Sequence, residues 1–193
     1  MKLEILFPIL ILSAGFLYFI IPRISKKYFA RPLLFMEINP NEGITMQRRH
    51  IARIENSEIK YGNDPEAESL YGLVWKFDLI IRNNSENAAY NIKMFPQKTT
   101  KGKLTFNSIV NENKTLAAHQ ELVIPFEFYQ EKESKHKDVD KLDTVEPDFF
   151  DEFKILLDYK NEGKTSFNSI LDVKSKQVCF KKISQKKIKK NWC

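Results

Sequence analysis

The chain is poor in the residues that build chemistry. Its 193 residues include only two cysteines, six glycines and three histidines. Cys179 and Cys193 form no CxxC pair. A bond between them would close only a short tail, and two free thiols suit a reducing compartment. His50, His119 and His136 lie at no metal-ligand spacing from one another or from a cysteine, which argues against a zinc site. With so few glycines, backbone cradles for phosphate are disfavoured. No P-loop, G-x-G-x-x-G or G-x-S-x-G is present. No nucleophile or acid–base constellation can be assembled, so the expectation is a non-enzyme without catalytic residues, metal ligands or cofactor.

Long apolar runs are also missing, with one exception at the start. Ile5 to Ile21 reads ILFPILILSAGFLYFII without a charge. Seventeen helical residues span roughly 25 Å, a little short of a ~30 Å hydrocarbon core, a gap that Leu3 and bilayer adjustment can close. Pro8 falls in the first turns, where a missing N–H matters least. The run has no basic n-region, since Glu4 offsets Lys2, and it ends in Ile20-Ile21-Pro22-Arg23 without a small-x-small cleavage pair. It therefore reads as an uncleaved single-pass anchor in contact with the lipid bilayer. Its apolar surface is Ile5, Leu6, Phe7, Ile9, Leu10, Ile11, Leu12, Phe16, Leu17, Phe19, Ile20 and Ile21. Ser13, Ala14 and Gly15 form a small-residue patch where helices of a homo-oligomer could approach. Arg23, Lys26, Lys27 and Arg31 follow the run, and the positive-inside rule puts that flank in the cytoplasm.

Beyond Pro32 the period changes to two. Leu73, Trp75, Phe77, Leu79 and Ile81 alternate with Lys76, Asp78 and Arg82, the pattern of a half-buried strand. Asn83 to Asn87 reads as a turn. Similar runs occur at 33–39, 90–94, 104–109, 122–128, 153–159, 167–173 and 178–180. Pro125 cannot donate to a ladder, which places its strand at an edge or a bulge. Seven or eight strands separated by polar turns predict an antiparallel sandwich or barrel. The expected organisation is an anchor and basic flank over 1–30, a β-sandwich over 31–180 and a basic tail over 181–193.

The segment from Phe77 to Ile92, a hydrophobic strand, Arg82-Asn83-Asn84-Ser85, then Ala89-Tyr90-Asn91-Ile92, resembles bacterial immunoglobulin-like domains of the CARDB type. Leu116 to Leu122 resembles their approach to the next strand, with His119 and Gln120 in place of Pro and Gly. Tyr159 to Lys164 resembles their last hairpin. The resemblance covers about residues 70 to 175. It implies a mainly β, antiparallel immunoglobulin-like sandwich that serves as a binding or adhesion scaffold and carries no catalytic residues.

Two charged stretches remain. Residues 131–152 hold a dense acidic block that reads as a solvated loop. Its Asp138-x-Asp140 spacing suggests calcium, but the next ligand position is Leu142 and the required glycine is missing. The tail is basic at Lys181, Lys182, Lys186, Lys187, Lys189 and Lys190 and ends in Trp192 and Cys193. One helical turn would put Ile188 and Trp192 on one side. This composition suits a solvated tail or an anionic membrane surface touched by Arg23, Lys26, Lys27, Lys186, Lys187, Lys189, Lys190 and Trp192. No stacking motif supports nucleic acid. The function expected is a tethered sandwich at the cytoplasmic face of a bacterial inner membrane, binding an unidentified protein or small molecule. Two alternatives are an oligomeric, membrane-disrupting or pore-forming effector of antiphage defence and a periplasmic accessory or adhesion domain.

Overall fold

The computed structural model describes residues 15–25, 30–40, 46–54, 65–97, 102–107, 114–144, 147 and 152–192. Residues 15–25 form a helix, α1, that continues through Pro22. No helix among the described residues is long and apolar enough to cross a membrane. Ile5, Leu6, Phe7, Ile9, Leu10, Ile11, Leu12, Ser13 and Ala14, and also Lys26 and Lys27, lie outside the described residues.

The domain is mainly antiparallel β. One sheet holds β1 (Leu34–Pro40), β2 (Met46–Arg53), β3 (Glu68–Asn83), β5 (Lys103–Phe106) and β6 (Glu121–Lys135). The other runs β4 (Tyr90–Pro96), β7 (Lys154–Lys160), β8 (Ser166–Asp172), β9 (Gln177–Lys181) in that spatial order. A 3-10 helix, His136–Thr144, follows β6, and a second α-helix, α2 (Gln185–Trp192), follows β9. The chain crosses between sheets after the turn at Asn83, because β3 belongs to the first sheet and β4 pairs with β7.

The long β3–β6 ladder is the spine. It runs from Glu68↔Lys135 to Arg82↔Glu121 without a register shift. On its inner face Trp75 stacks on Phe128 at 5.7 Å and Phe77 on Phe126 at 5.4 Å. A one-residue slip would turn all four rings outward, so these pairs fix the register. Leu73, Leu79, Ile81 and Ile124 complete that face, and Ile92, Ile155, Leu157 and Tyr159 of the second sheet join them in one core. Each such side chain, fully buried, contributes about 1.5–3 kcal/mol.

On its other edge β3 receives two strands in succession. β1 pairs with its C-terminal half, Leu34↔Asn83 to Pro40↔Phe77, and β2 with its N-terminal half, Met46↔Trp75 to Arg53↔Ser69. The sequence pattern misses β2. Its inward positions carry Arg48 and His50 instead of aliphatic side chains. Arg48 donates to the Val139 carbonyl oxygen at 2.6 Å and lies 3.6 Å from Asp140, and His50 meets the Tyr71 ring edge-on.

Against the expectation from Pro125, β6 is neither an edge strand nor bulged against β3: it lies between β3 and β5, and Pro125 falls just past the end of the β5 pairing. The Pro125 carbonyl accepts from Asn107 N on the β5 side, so its nitrogen faces the same way and not toward β3. Glycine is needed just before β5, where a Cβ on Gly102 would collide with the Phe128 ring. Elsewhere the scarcity of glycine leaves left-handed positions to other residues, among them His119 (φ 57°) and Lys164 (φ 60°), each at a cost of about 1–2 kcal/mol.

The acidic stretch is not one loop. Glu131 to Lys135 lie in β6, and the 3-10 helix continues from them. Asp138 pairs with Lys141 at 2.6 Å, a hydrogen bond that depresses its carboxyl pKa. Glu66 receives hydrogen bonds from Lys137 and Lys135, which hold its carboxyl down from 4.5 to about 2.

Two tests follow from these contacts. A depressed folded-state pKa means that the Glu66 contribution is complete above about 4.5 and is lost as pH falls toward about 2. Urea midpoints measured across that window should fall for the native chain and fall less for Glu66→Gln. Asn83 is fully buried at the crossing turn, and its Nδ2 donates to the carbonyls of Asn87, Leu116 and Ala117 at 2.8, 3.2 and 3.0 Å. Asn83→Ala removes those three bonds, the carbonyls keeping their second donors Ser85 Oγ, Ala89 N and Gln120 N, and should cost about 2 kcal/mol in chemical denaturation.

Candidate functional site at the helix-proximal end

The chain leaves α1 and is captured at four successive residues. Asn161 Nδ2 donates to the Ala30 carbonyl at 3.1 Å, and Tyr159 OH donates to the Pro32 carbonyl at 3.0 Å. Leu33 N donates to Ser85 Oγ, while the Leu33 carbonyl accepts from Asn84 N at 2.9 Å. Arg31 donates to the Asn168 carbonyl at 3.2 Å, and its guanidinium lies 5.3 Å from the Phe167 ring centre and 5.2 Å from that of Phe180. Two aromatic faces stabilise a partly desolvated cation.

Local sequence explains why this segment is extended. Pro32 disfavours the helical region for Arg31, and it has no N–H to place in a ladder. The holding side chains come from strand ends. Tyr159 closes β7 and also shares a 3.0 Å hydrogen bond with Ser169 Oγ. Asn161 opens the β7–β8 hairpin, where its Oδ1 accepts from Thr165 N at 2.9 Å.

Beside this junction lies a cleft of about 520 Å³, lined among others by Arg23, Ala30, Glu86, Tyr90, Asn161 and Glu162. Glu86 Oε1 is 3.1 Å from His119 Nε2. The cleft therefore combines one guanidinium, two carboxylates and an aromatic wall.

The basic tail is folded. Ile183 N donates to Asn168 Oδ1 at 2.7 Å, and Asn168 Nδ2 donates to Asp158 Oδ1 at 2.9 Å. Both of these side chains lie on the outward face of the second sheet. Leu156 shares that face, since Ile155 and Leu157 point into the core, and yet it is 0% exposed. Ile188 is only 1% exposed, and neither residue belongs to the main core cluster. α2 accordingly covers the outward face and buries Ile188, leaving Lys186, Lys187 and Lys190 in solvent and Trp192 half-buried.

The expected membrane-contact residues thus fall in two places. Phe16, Leu17, Phe19, Ile20 and Ile21 lie on α1, and Arg23 lies at the cleft. Lys186, Lys187 and Lys190 are on α2; nothing is described for the Lys189 side chain. Gly15 begins the described part of α1, and nothing lies within 4 Å of where its Cβ would be. Among the described residues no group of three or more His, Cys, Asp or Glu could hold a metal ion. The holding residues Arg31, Tyr159, Asn161 and Asn168 escape sequence reasoning, because asparagine beside a turn reads as turn chemistry alone. Leu156 was the available signal for α2: an apolar residue on a polar face implies a cover.

No family model and no curated protein matches the chain. A solved structure, the X-ray structure of Northeast Structural Genomics Consortium target SoR45, is similar at 12% identity over 78% of this chain and 88% of that one, with a TM-score of 0.25.

Ile188 is the described side chain of α2 that is fully buried. Ile188→Asp should release the helix, so that limited proteolysis trims the chain near 185–192 while the trypsin-resistant sandwich survives.

Proposed function

We propose that the chain is a non-enzymatic, membrane-tethered sandwich of immunoglobulin-like type. It would bind a protein or small-molecule partner at the cytoplasmic face of a bacterial inner membrane. The observation that carries this reading is the contrast across residue 30. Before it, Phe16, Leu17, Tyr18, Phe19 and Ile21 of α1 are 54–77% exposed and crowd every side of the helix. A helix apolar all round needs a surrounding apolar medium. After it, four consecutive residues are bound into the domain. An apolar helix followed by a segment bound into the sandwich suits a tether that holds a binding module close to the bilayer.

Orientation is supported by Arg23, Lys26 and Lys27. Arg31 is taken up by Phe167, Phe180 and Asn168 and adds little to that count. The solvent-exposed thiol of Cys179 agrees with a reducing compartment.

Fractionation of cells carrying the full chain tests the tether. The native chain should stay in the carbonate-washed membrane pellet, and Leu12→Lys with Leu17→Lys should move it to the supernatant. Cys179 then reports the side. In a Cys193→Ser background, an impermeant maleimide should label it only after the inner membrane is opened. Labelling in intact spheroplasts would overturn the cytoplasmic assignment, and a native chain in the supernatant would overturn the tether.

A further inference from the structure

The cleft at the α1 junction has an arrangement of charge that selects a ligand. We propose that it binds a phosphorylated primary amine, supplied as the phosphoethanolamine headgroup of a bilayer lipid, a proposal that rests on the tethered reading above. The chemistry follows from the lining. Arg23 offers a guanidinium, which suits phosphate. Glu86 and Glu162 line the same cleft from two different loops, the β3–β4 crossing and the β7–β8 hairpin, and Glu86 Oε1 also lies 3.1 Å from His119 Nε2. Carboxylates suit a group that is cationic and donates N–H. A ligand that carries both charges a few bonds apart matches both kinds of group.

The same lining disfavours other headgroups. A purely anionic lipid would meet two carboxylates beside its phosphate. A trimethylammonium has no N–H to donate and is held best by a box of aromatic faces. Among the described lining residues the only aromatic one is Tyr90. Position agrees with the chemistry. Arg23 is two residues beyond Ile21, where the apolar run ends, and a bilayer around α1 would put lipid phosphates at that level.

The cleft walls are also held in place before any ligand arrives. Asn161, which borders the cleft, is tied to Ala30 and to Thr165. Ser85, next to Glu86, accepts from Leu33 N and from Asn87 N. Little ordering is then required on binding.

The test uses the full chain in nanodiscs of phosphatidylglycerol mixed with either phosphatidylethanolamine or phosphatidylcholine. Amide hydrogen exchange is read at residues 84–90 and 161–164. Exchange there should be about threefold slower with ethanolamine lipid, the order expected for exposed ion pairs. Glu86→Gln with Glu162→Gln should abolish the difference, and Arg23→Gln should reduce it. Equal exchange in the two lipids, or a preference that survives the double substitution, would sink the proposal. A second arm adds glycerophosphoethanolamine to the full chain in detergent. Protection in the bilayer alone assigns the ligand to lipid, whereas equal protection by the soluble compound overturns the lipid source and keeps the amine–phosphate site. A chain that does not stay with the nanodiscs defeats the tether and the lipid source together, and the soluble arm then decides the cleft chemistry by itself.

Discussion

The domain depends on buried side chains that donate to backbone carbonyls where its strands begin and end. Ala30 and Pro32 present such oxygens next to α1, and Asn87, Leu116 and Ala117 present them at the crossing turn. A hydrogen bond of this kind contributes about 0.5–1.5 kcal/mol. Asn161, Tyr159 and Asn83 meet these oxygens from strand ends. The solution is local but its effect is not. Asn83 joins the β3–β4 crossing to the segment that leads into β6, and Tyr159 joins the second sheet to the chain entering the first. Without these side chains the two sheets would share a core but not a common end.

The two outward faces are treated differently. The second sheet has α2 over it, with Leu156 and Ile188 sealed. On the first sheet the described outer surface alternates charge pairs such as Arg82–Glu121 at 2.6 Å and Arg82–Glu37 at 3.2 Å with exposed Val123 and Phe35. Exposed pairs of this kind add little stability, but charge on an outer face discourages nonspecific sheet stacking.

How much of this was legible depended on what each strand packs against. β3, β6 and β7 pack against aliphatic and aromatic neighbours, so their alternation announced them. β2 packs at the end of the sandwich, where Arg48 finds a carbonyl and His50 finds a ring, and polar partners leave no hydropathy signal. The second half of β6 was hidden for the same reason: its inward side carries Gln130, Lys132 and Ser134 while Glu131 and Glu133 point outward, so it merged with the acidic residues after it. The cleft could not be read at all. Its charged residues lie far apart in sequence, at 23, 86 and 162, and only the capture of residues 30–33 brings them together.

The divided edge of β3 has a mechanical consequence. The captured residues 30–33 lead into β1, and the described pairings on this edge run from Leu34 to Pro40 in β1 and from Met46 to Arg53 in β2. Tension drawn through the helix is therefore taken by the side chains gripping residues 30–33 and then by the β1–β3 ladder. β2 and the long β3–β6 spine come after β1 in the chain. Because β1 buries Leu34 and Met36 in the core, its loss under load would open that end of the domain while the β3–β6 ladder stayed paired.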